Sequence, residues 1–203
     1  MKKDRISHAQ TRSANRNQLL NAARQVFATV GYDASTARDI VRESGLAQGS
    51  FYNNFKDKQE IFELVLADII EPLIHILKQS RASAKTPHEF LTNAYEACRL
   101  LPEQNSETAA IIAHNQAIFR DRFYYAGSQA QIRADLVSDL VSWHDRKIFR
   151  HADFGLIAES MISLGIDLVI QSAQDPKSGK QRVAFLTSLF MPMLVDQDWQ
   201  IIA

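Results

Sequence analysis

Residues 36–58 read Thr36-Ala37-Arg38-Asp39-Ile40-Val41-Arg42-Glu43-Ser44-Gly45-Leu46-Ala47-Gln48-Gly49-Ser50-Phe51-Tyr52-Asn53-Asn54-Phe55-Lys56-Asp57-Lys58. Thr36 is a side-chain cap at the head of a short helix over 37–44, whose apolar face is Ile40 and Val41. Gly45 ends that helix and supplies the turn. A second short helix follows over 47–54, with Phe51 and Phe55 four residues apart on one face and Gln48, Gly49, Ser50 and Asn53 on the other. Two short helices joined at a glycine form a helix-turn-helix pattern. A major groove about 12 Å wide admits a helix whose outward edge is small and polar, and Gln and Asn can pair with adenine through two hydrogen bonds.

An amphipathic helix precedes the pair. Leu19, Leu20, Ala23, Val26, Phe27 and Val30 recur at spacings of three and four, Ser13 or Asn15 can cap the start, and Gly31 ends it. Residues 1–15 are polar and read as a flexible basic arm. Its Lys2, Lys3, Arg5, Arg12 and Arg16 suit either a phosphate or minor-groove contact or a solvated tail. The charge is polarised: residues 1–60 hold ten Lys/Arg against six Asp/Glu, a net +4, and the remainder balances this to zero. A basic third on a mildly acidic body suits a polyanionic partner.

On Thr36-Ala37-Arg38-Asp39-Ile40-Val41 and Gly45 to Lys58, the chain resembles the TetR family of bacterial transcription regulators, whose pattern runs close to T-x-x-D/E-I-A, then G-V-S-x-G-T-L-Y-x-Y-F-x-x-K. The resemblance covers about Arg16 to Leu66, roughly a quarter of the chain. It implies an all-α protein: a three-helix helix-turn-helix domain over 16–58, and a helical effector-binding and dimerisation domain over 59–203. By position it assigns DNA contacts to Thr36, Gln48, Gly49, Ser50, Tyr52, Asn53 and Lys56. Tyr52 also reads as a half-buried core edge. Two departures stand out: Ala47 lacks the Ser or Thr cap, and Asn54 replaces an aromatic.

Beyond residue 58 the apolar periodicity predicts a long helix from Ile61, kinked or broken near Glu71 by Pro72, and helices over about 88–100, 106–120, 124–147, 153–174 and 180–195. Residues 156–170 are apolar nearly all round, as is 180–195, so both helices need burial on several sides. They are candidates for a four-helix dimer interface through Leu164, Gly165, Leu168, Val169, Phe185, Leu186, Leu189 and Phe190. An effector pocket is expected among the helices of 61–170. Candidate aromatic lining residues are Phe62, Phe90, Tyr95, Phe119, Phe123, Tyr124 and Trp143. His114, Gln116 and Met161 complete the set. His114-Asn115-Gln116 is a polar cluster inside an apolar helix, where buried polar groups need partners.

The chain has 203 residues, 46% apolar and 23% charged, as a folded globular protein does. The single Cys98 excludes an intrachain disulfide, and the six histidines contain no i,i+4 pair, so no metal site and no cofactor is expected. No apolar run reaches the roughly 18–20 residues of a membrane span, Met161–Ile170 being the longest candidate, and no signal peptide is legible. A cytoplasmic location is expected. Nucleophile-elbow, phosphate-loop and zinc-protease motifs are absent, so enzyme readings are poor. The expected function is a repressor that leaves a palindromic double-stranded DNA operator when a small hydrophobic or amphipathic effector binds a homodimer. The alternatives are an effector-independent architectural DNA binder, or a helical enzyme or lipid-handling protein.

Overall fold

The computed structural model describes the backbone of residues 2–125 and 128–195, and the side chains of 9–121 and 130–195. Among the described residues there are helices and no strand. They are α1 (Lys2–Thr29), α2 (Gly31–Ala34), α3 (Ala37–Ser44), α4 (Gln48–Tyr52), α5 (Lys58–Ser83) and α6 (Pro87–Leu100), then α7 (Ser106–His114), α8 (Gln116–Tyr125), α9 (Ser128–Asp145), α10 (Phe154–Gln174) and α11 (Gly179–Leu194).

The N-terminal end is built on α1. Leu19, Ala23 and Phe27 are fully buried with Ile40 of α3, Phe51 of α4 and Ile61, Phe62 and Val65 of α5. Phe27 meets Phe62 edge to face at 4.8 Å, a favoured arrangement of ring quadrupoles. α1 also packs against α7. α1 thereby both braces this N-terminal head and joins it to the rest of the chain, the body.

Three expectations are corrected. α1 starts at Lys2, so residues 2–15 are helical rather than an arm, and Ser13 and Asn15 lie inside the helix and cap nothing. Residues 2–30 contain neither Gly nor Pro to stop a helix. Pro72 does not break α5. It is exposed, as is Asp68 one turn earlier, so water can reach the carbonyl that loses its partner. The helix expected over 106–120 divides into α7 and α8 at Asn115, whose φ of −122° and ψ of 29° leave the helical region. Gly127, expected near the start of the next helix, lies outside the described residues.

The body packs α6 against α5, α10 and α11. Gly179 opens α11 directly over the Arg99 stem: a Cβ there would come within 2.8 Å of Arg99 Cγ. Arg99 is buried and holds Glu96 and Glu103, each at 2.6 Å. α10 is the central helix. At 21 residues, with an 18-residue stretch of mean hydropathy 1.5, it is long and apolar enough to cross a membrane, contrary to the expectation of no such segment. Its apolar face is instead filled by its own chain: Ile157, Ala158, Met161, Ile166 and Ile170 are buried. Its carboxylates are matched, Asp167 by Arg120 and Glu159 by Arg133.

Candidate nucleic-acid interface and apolar cavity

Thr36 opens α3 with a reciprocal capping box. Its Oγ1 accepts from the Asp39 N–H at 3.3 Å, and the Asp39 carboxylate accepts from the Thr36 N–H at 2.9 Å and hydroxyl at 2.7 Å. These hydrogen bonds, with Arg42 at 2.8 Å, hold the Asp39 carboxyl below the usual carboxylate range. Gly45 ends α3 at φ +67°, where a side chain would be strained.

α4 is only five residues long, and the chain around it fixes its orientation. Phe51 is wholly buried and Phe55 is nearly so. Gln48, Gly49, Tyr52 and Asn53 are exposed, Ser50 is half-buried, and Lys56 is exposed just beyond. A Cβ on Gly49 would meet nothing within 4 Å, so this edge is open. Thr36, also exposed, completes the seven residues assigned from the sequence. Tyr52 is 59% exposed, which removes its reading as a core edge.

α1 supplies the parts that sequence reasoning missed. Arg12 Nη2 donates to the Asn53 carbonyl at 3.0 Å. Arg16 Nη1 donates to the Asn54 carbonyl at 2.9 Å, its guanidinium 4.5 Å above the Phe55 ring. Cations at carbonyls just past a helix C-terminus satisfy unpaired acceptors and oppose the helix dipole. These two arginines tie α1 to the C-terminal end of α4 rather than standing free as a solvated tail. Lys58 is held similarly: Nζ donates to the Tyr32 and Ser35 carbonyls at 2.5 and 2.7 Å and lies 4.0 Å from the Tyr32 ring centroid. Burial lowers its pKa, with Asp33 and Asp39 opposing that shift. Its place three residues after Phe55 was the available signal.

The joint between head and body is the α7–α8 break. Asn115 is buried. Its Oδ1 accepts from the Tyr32 N–H at 2.5 Å, and its Nδ2 donates to the Phe27 and Ile111 carbonyls at 3.1 and 2.7 Å. His114 Nδ1 donates to the Ala28 carbonyl at 2.5 Å. Gly31 turns the chain at φ +79° against this junction, where a Cβ would lie 3.2 Å from the His114 carbonyl. The polar cluster expected in the pocket is thus the joint. His114 is exposed, and Gln116 donates to the Ala113 carbonyl.

The body encloses an apolar cavity of about 60 Å³ among α5, α6, α8, α9 and α10. Of the expected pocket residues, Tyr95, Phe119 and Met161 line it. Phe62 belongs instead to the head core, against Phe27 and Tyr32. Phe90 and Trp143 form an aromatic cluster with Phe149. Each ring is claimed by a nearer apolar neighbour. The Phe123 and Tyr124 side chains lie outside the described residues. Arg81 and Cys98 also line the cavity and were not anticipated. Burial pushes the Cys98 thiol up to about 12, so it stays protonated at neutral pH.

The expected dimer face divides in two. Gly165 and Val169 line the cavity, and Leu168, Leu186 and Phe190 are buried within one chain, Phe190 stacked on Tyr95. Their apolar surroundings come from their own subunit. Phe185 remains 63% exposed, Leu164 and Leu189 are half-buried, and Leu156 and Met193 extend the exposed apolar surface. Among the described residues no three His, Cys, Asp or Glu side chains gather as metal ligands.

Residues 19–65 match the family model of bacterial regulatory proteins of the tetR family. The chain is 36% identical over 85 residues to the HTH-type transcriptional repressor KstR2 of Mycolicibacterium smegmatis, a segment spanning 42% of each protein. It is 26% identical over 160 residues to the HTH-type transcriptional activator FasR of the same species, covering 77% of this chain and 71% of that one. In fold it is similar to the transcriptional regulator FadR of Bacillus subtilis, solved in complex with stearoyl-CoA. The TM-score there is 0.67 at 19% identity, over 84% of this chain and 97% of the other.

Proposed function

We propose that the chain, whose residues 19–65 match the tetR family model, is a TetR-family ligand-responsive transcriptional repressor that works in the cytoplasm as a homodimer on double-stranded DNA. One observation carries the reading: an exposed edge of Gln48, Gly49 and Asn53 stands over the buried Phe51 and Phe55, on a head joined through Asn115 to a body with an apolar cavity. Gln48 and Asn53 read base edges, and Thr36, Ser50, Tyr52 and Lys56 hold phosphates. Two heads related by a two-fold axis fit half-sites about 34–36 Å apart, hence a palindromic operator. The edge of α11 made by the exposed Phe185 and Met193 with the half-buried Leu189 is the surface proposed to pair.

The effector is apolar in its main part, in keeping with the cavity walls and with the acyl ligand carried by the Bacillus subtilis relative. Binding sites for drug-sized ligands run to about 300–1,000 Å³, so an effector must part the helices around this smaller cavity. Phe119 connects the wall to the joint: it sits one turn after Asn115 in α8, and its N–H donates to the Asn115 carbonyl at 2.8 Å. Displacing α8 moves the group that holds Tyr32 and Phe27. The effector acts only through the difference in its affinity for the DNA-competent and DNA-free arrangements.

Selection from random double-stranded DNA, followed by mobility shift at about 100 mM salt, tests the reading. The expected result is an inverted repeat bound by a dimer and released by a compound that also raises the melting temperature. Retention of no specific sequence overturns it. Specific binding that no stabilising compound weakens favours an architectural DNA binder.

A further inference from the structure

The cavity wall is apolar except at three places, Tyr95, Cys98 and Arg81. The Tyr95 hydroxyl is buried and, among the described residues, has no hydrogen-bond partner, although the ring is well held by Phe190. Burial, with Cys98 nearby, raises its pKa, so it remains a neutral O–H. Such a group is normally partnered, because leaving a buried donor unsatisfied is costly. The Cys98 thiol beside it is a weak donor and weak acceptor. Arg81 is buried, but its charge is matched: Nε donates to Asp139 Oδ2 at 2.7 Å. Among the described residues, the cavity therefore presents one unused strong donor and no unbalanced cation.

We infer that the effector carries an uncharged carbonyl-type oxygen on an apolar body, and that this oxygen accepts the Tyr95 hydroxyl hydrogen bond, making Tyr95 the residue that sets effector class. This rests on the reading of the cavity as the effector site. A carboxylate is disfavoured, because it would lose its water without gaining an unpaired positive charge. A hydrocarbon of the same shape fills the space but leaves the hydroxyl unsatisfied. A site built around a buried polar group discriminates strongly against analogues that lack its complement.

Calorimetric titration of the full-length protein with three probes tests this: acetophenone, its isostere α-methylstyrene, and benzoate. The Tyr95→Phe variant removes the donor and keeps the ring. In the wild type, acetophenone is expected to bind more tightly than benzoate. The ratio of acetophenone to α-methylstyrene affinity is expected to fall about tenfold in Tyr95→Phe, the worth of one well-made hydrogen bond. An unchanged ratio, or benzoate binding as tightly as acetophenone, overturns the assignment while leaving the cavity a ligand site. Failure of all three probes to bind the wild type overturns both the assignment and the reading of this cavity as the effector site.

Discussion

The reading head and the body meet at α1 and Asn115 but are built on opposite principles. In the head, three joints are closed by polar contacts: the capping box at Thr36, the arginines at the end of α4, and Lys58 across the Tyr32 turn, although the buried Asn54 Oδ1 has no partner among the described residues. In the body, the central cavity keeps empty volume and a hydroxyl that has no partner among the described residues. A head proposed to fit the edge of α4 into a groove of fixed width gains from rigidity. A body that must accept a ligand gains from low-cost rearrangement, and an under-filled interior lined partly by Met161 supplies it.

The sharpest way to break this contrast is to truncate one phenyl ring in each region. Phe51→Ala, in the fully packed head, is expected to cost about 3–5 kcal/mol and to abolish operator binding. Phe119→Ala is expected to cost less, because one side of that ring already faces the cavity and has fewer contacts to lose. Urea denaturation of the two variants ranks them, and equal costs would show that the body is packed as tightly as the head. Next in size is Asn115→Ala at the joint. It leaves the half-buried Tyr32 N–H without its acceptor, a loss of about 1–3 kcal/mol, and weakens the link between effector binding and operator release. Full release of the operator by a stabilising compound in Asn115→Ala would show that coupling runs elsewhere.

The same contrast explains what could be read in the sequence. The head was legible because its determinants are local. Thr36 caps Asp39 three residues on, Gly45 stops a helix at its own position, and Phe51 and Phe55 share a face by helical geometry alone. Arg12 and Arg16 were not, since their partners at Asn53 and Asn54 lie about 40 residues away and a run of basic residues reads equally as a tail. The body was legible as a set of helices but not as a site. Phe62, Phe90 and Trp143 have the composition of pocket residues, and only packing decides that they belong to other clusters. Leu186 and Phe190 illustrate the limit again: an all-round apolar helix demands burial, and nothing local says whether its own chain or a second copy supplies it.

Within the head, the division between base-reading and phosphate-holding residues can be sharpened. Gln48→Ala and Asn53→Ala are each expected to lose about 1–3 kcal/mol at particular base pairs and to relax the consensus there. Lys56→Ala should weaken every sequence alike and reduce the salt slope by about one. Competition binding against single-base operator variants at two salt concentrations separates the two patterns. If both leave affinity unchanged, α4 is not the reading helix.

The smallest effect concerns how the head holds its shape, and it depends on pH. Thr36→Ala removes the cap of α3 and is expected to cost about 1 kcal/mol at neutral pH. The Asp39 carboxyl has its pKa lowered in the folded protein, chiefly by the Thr36 hydroxyl and then by its N–H. A carboxylate with a depressed pKa adds stability that is present above its unfolded value, near 3.8, and is lost as pH falls through the folded value. The part of the wild-type advantage over Thr36→Ala that comes from ionised Asp39 should therefore shrink on acidification below about pH 4. Urea denaturation of both proteins at pH 7 and pH 3 checks this. A gap of equal size at the two values would mean that the Thr36 cap stabilises α3 without its acidic partner, and that the ordered head owes nothing to this reciprocal pair.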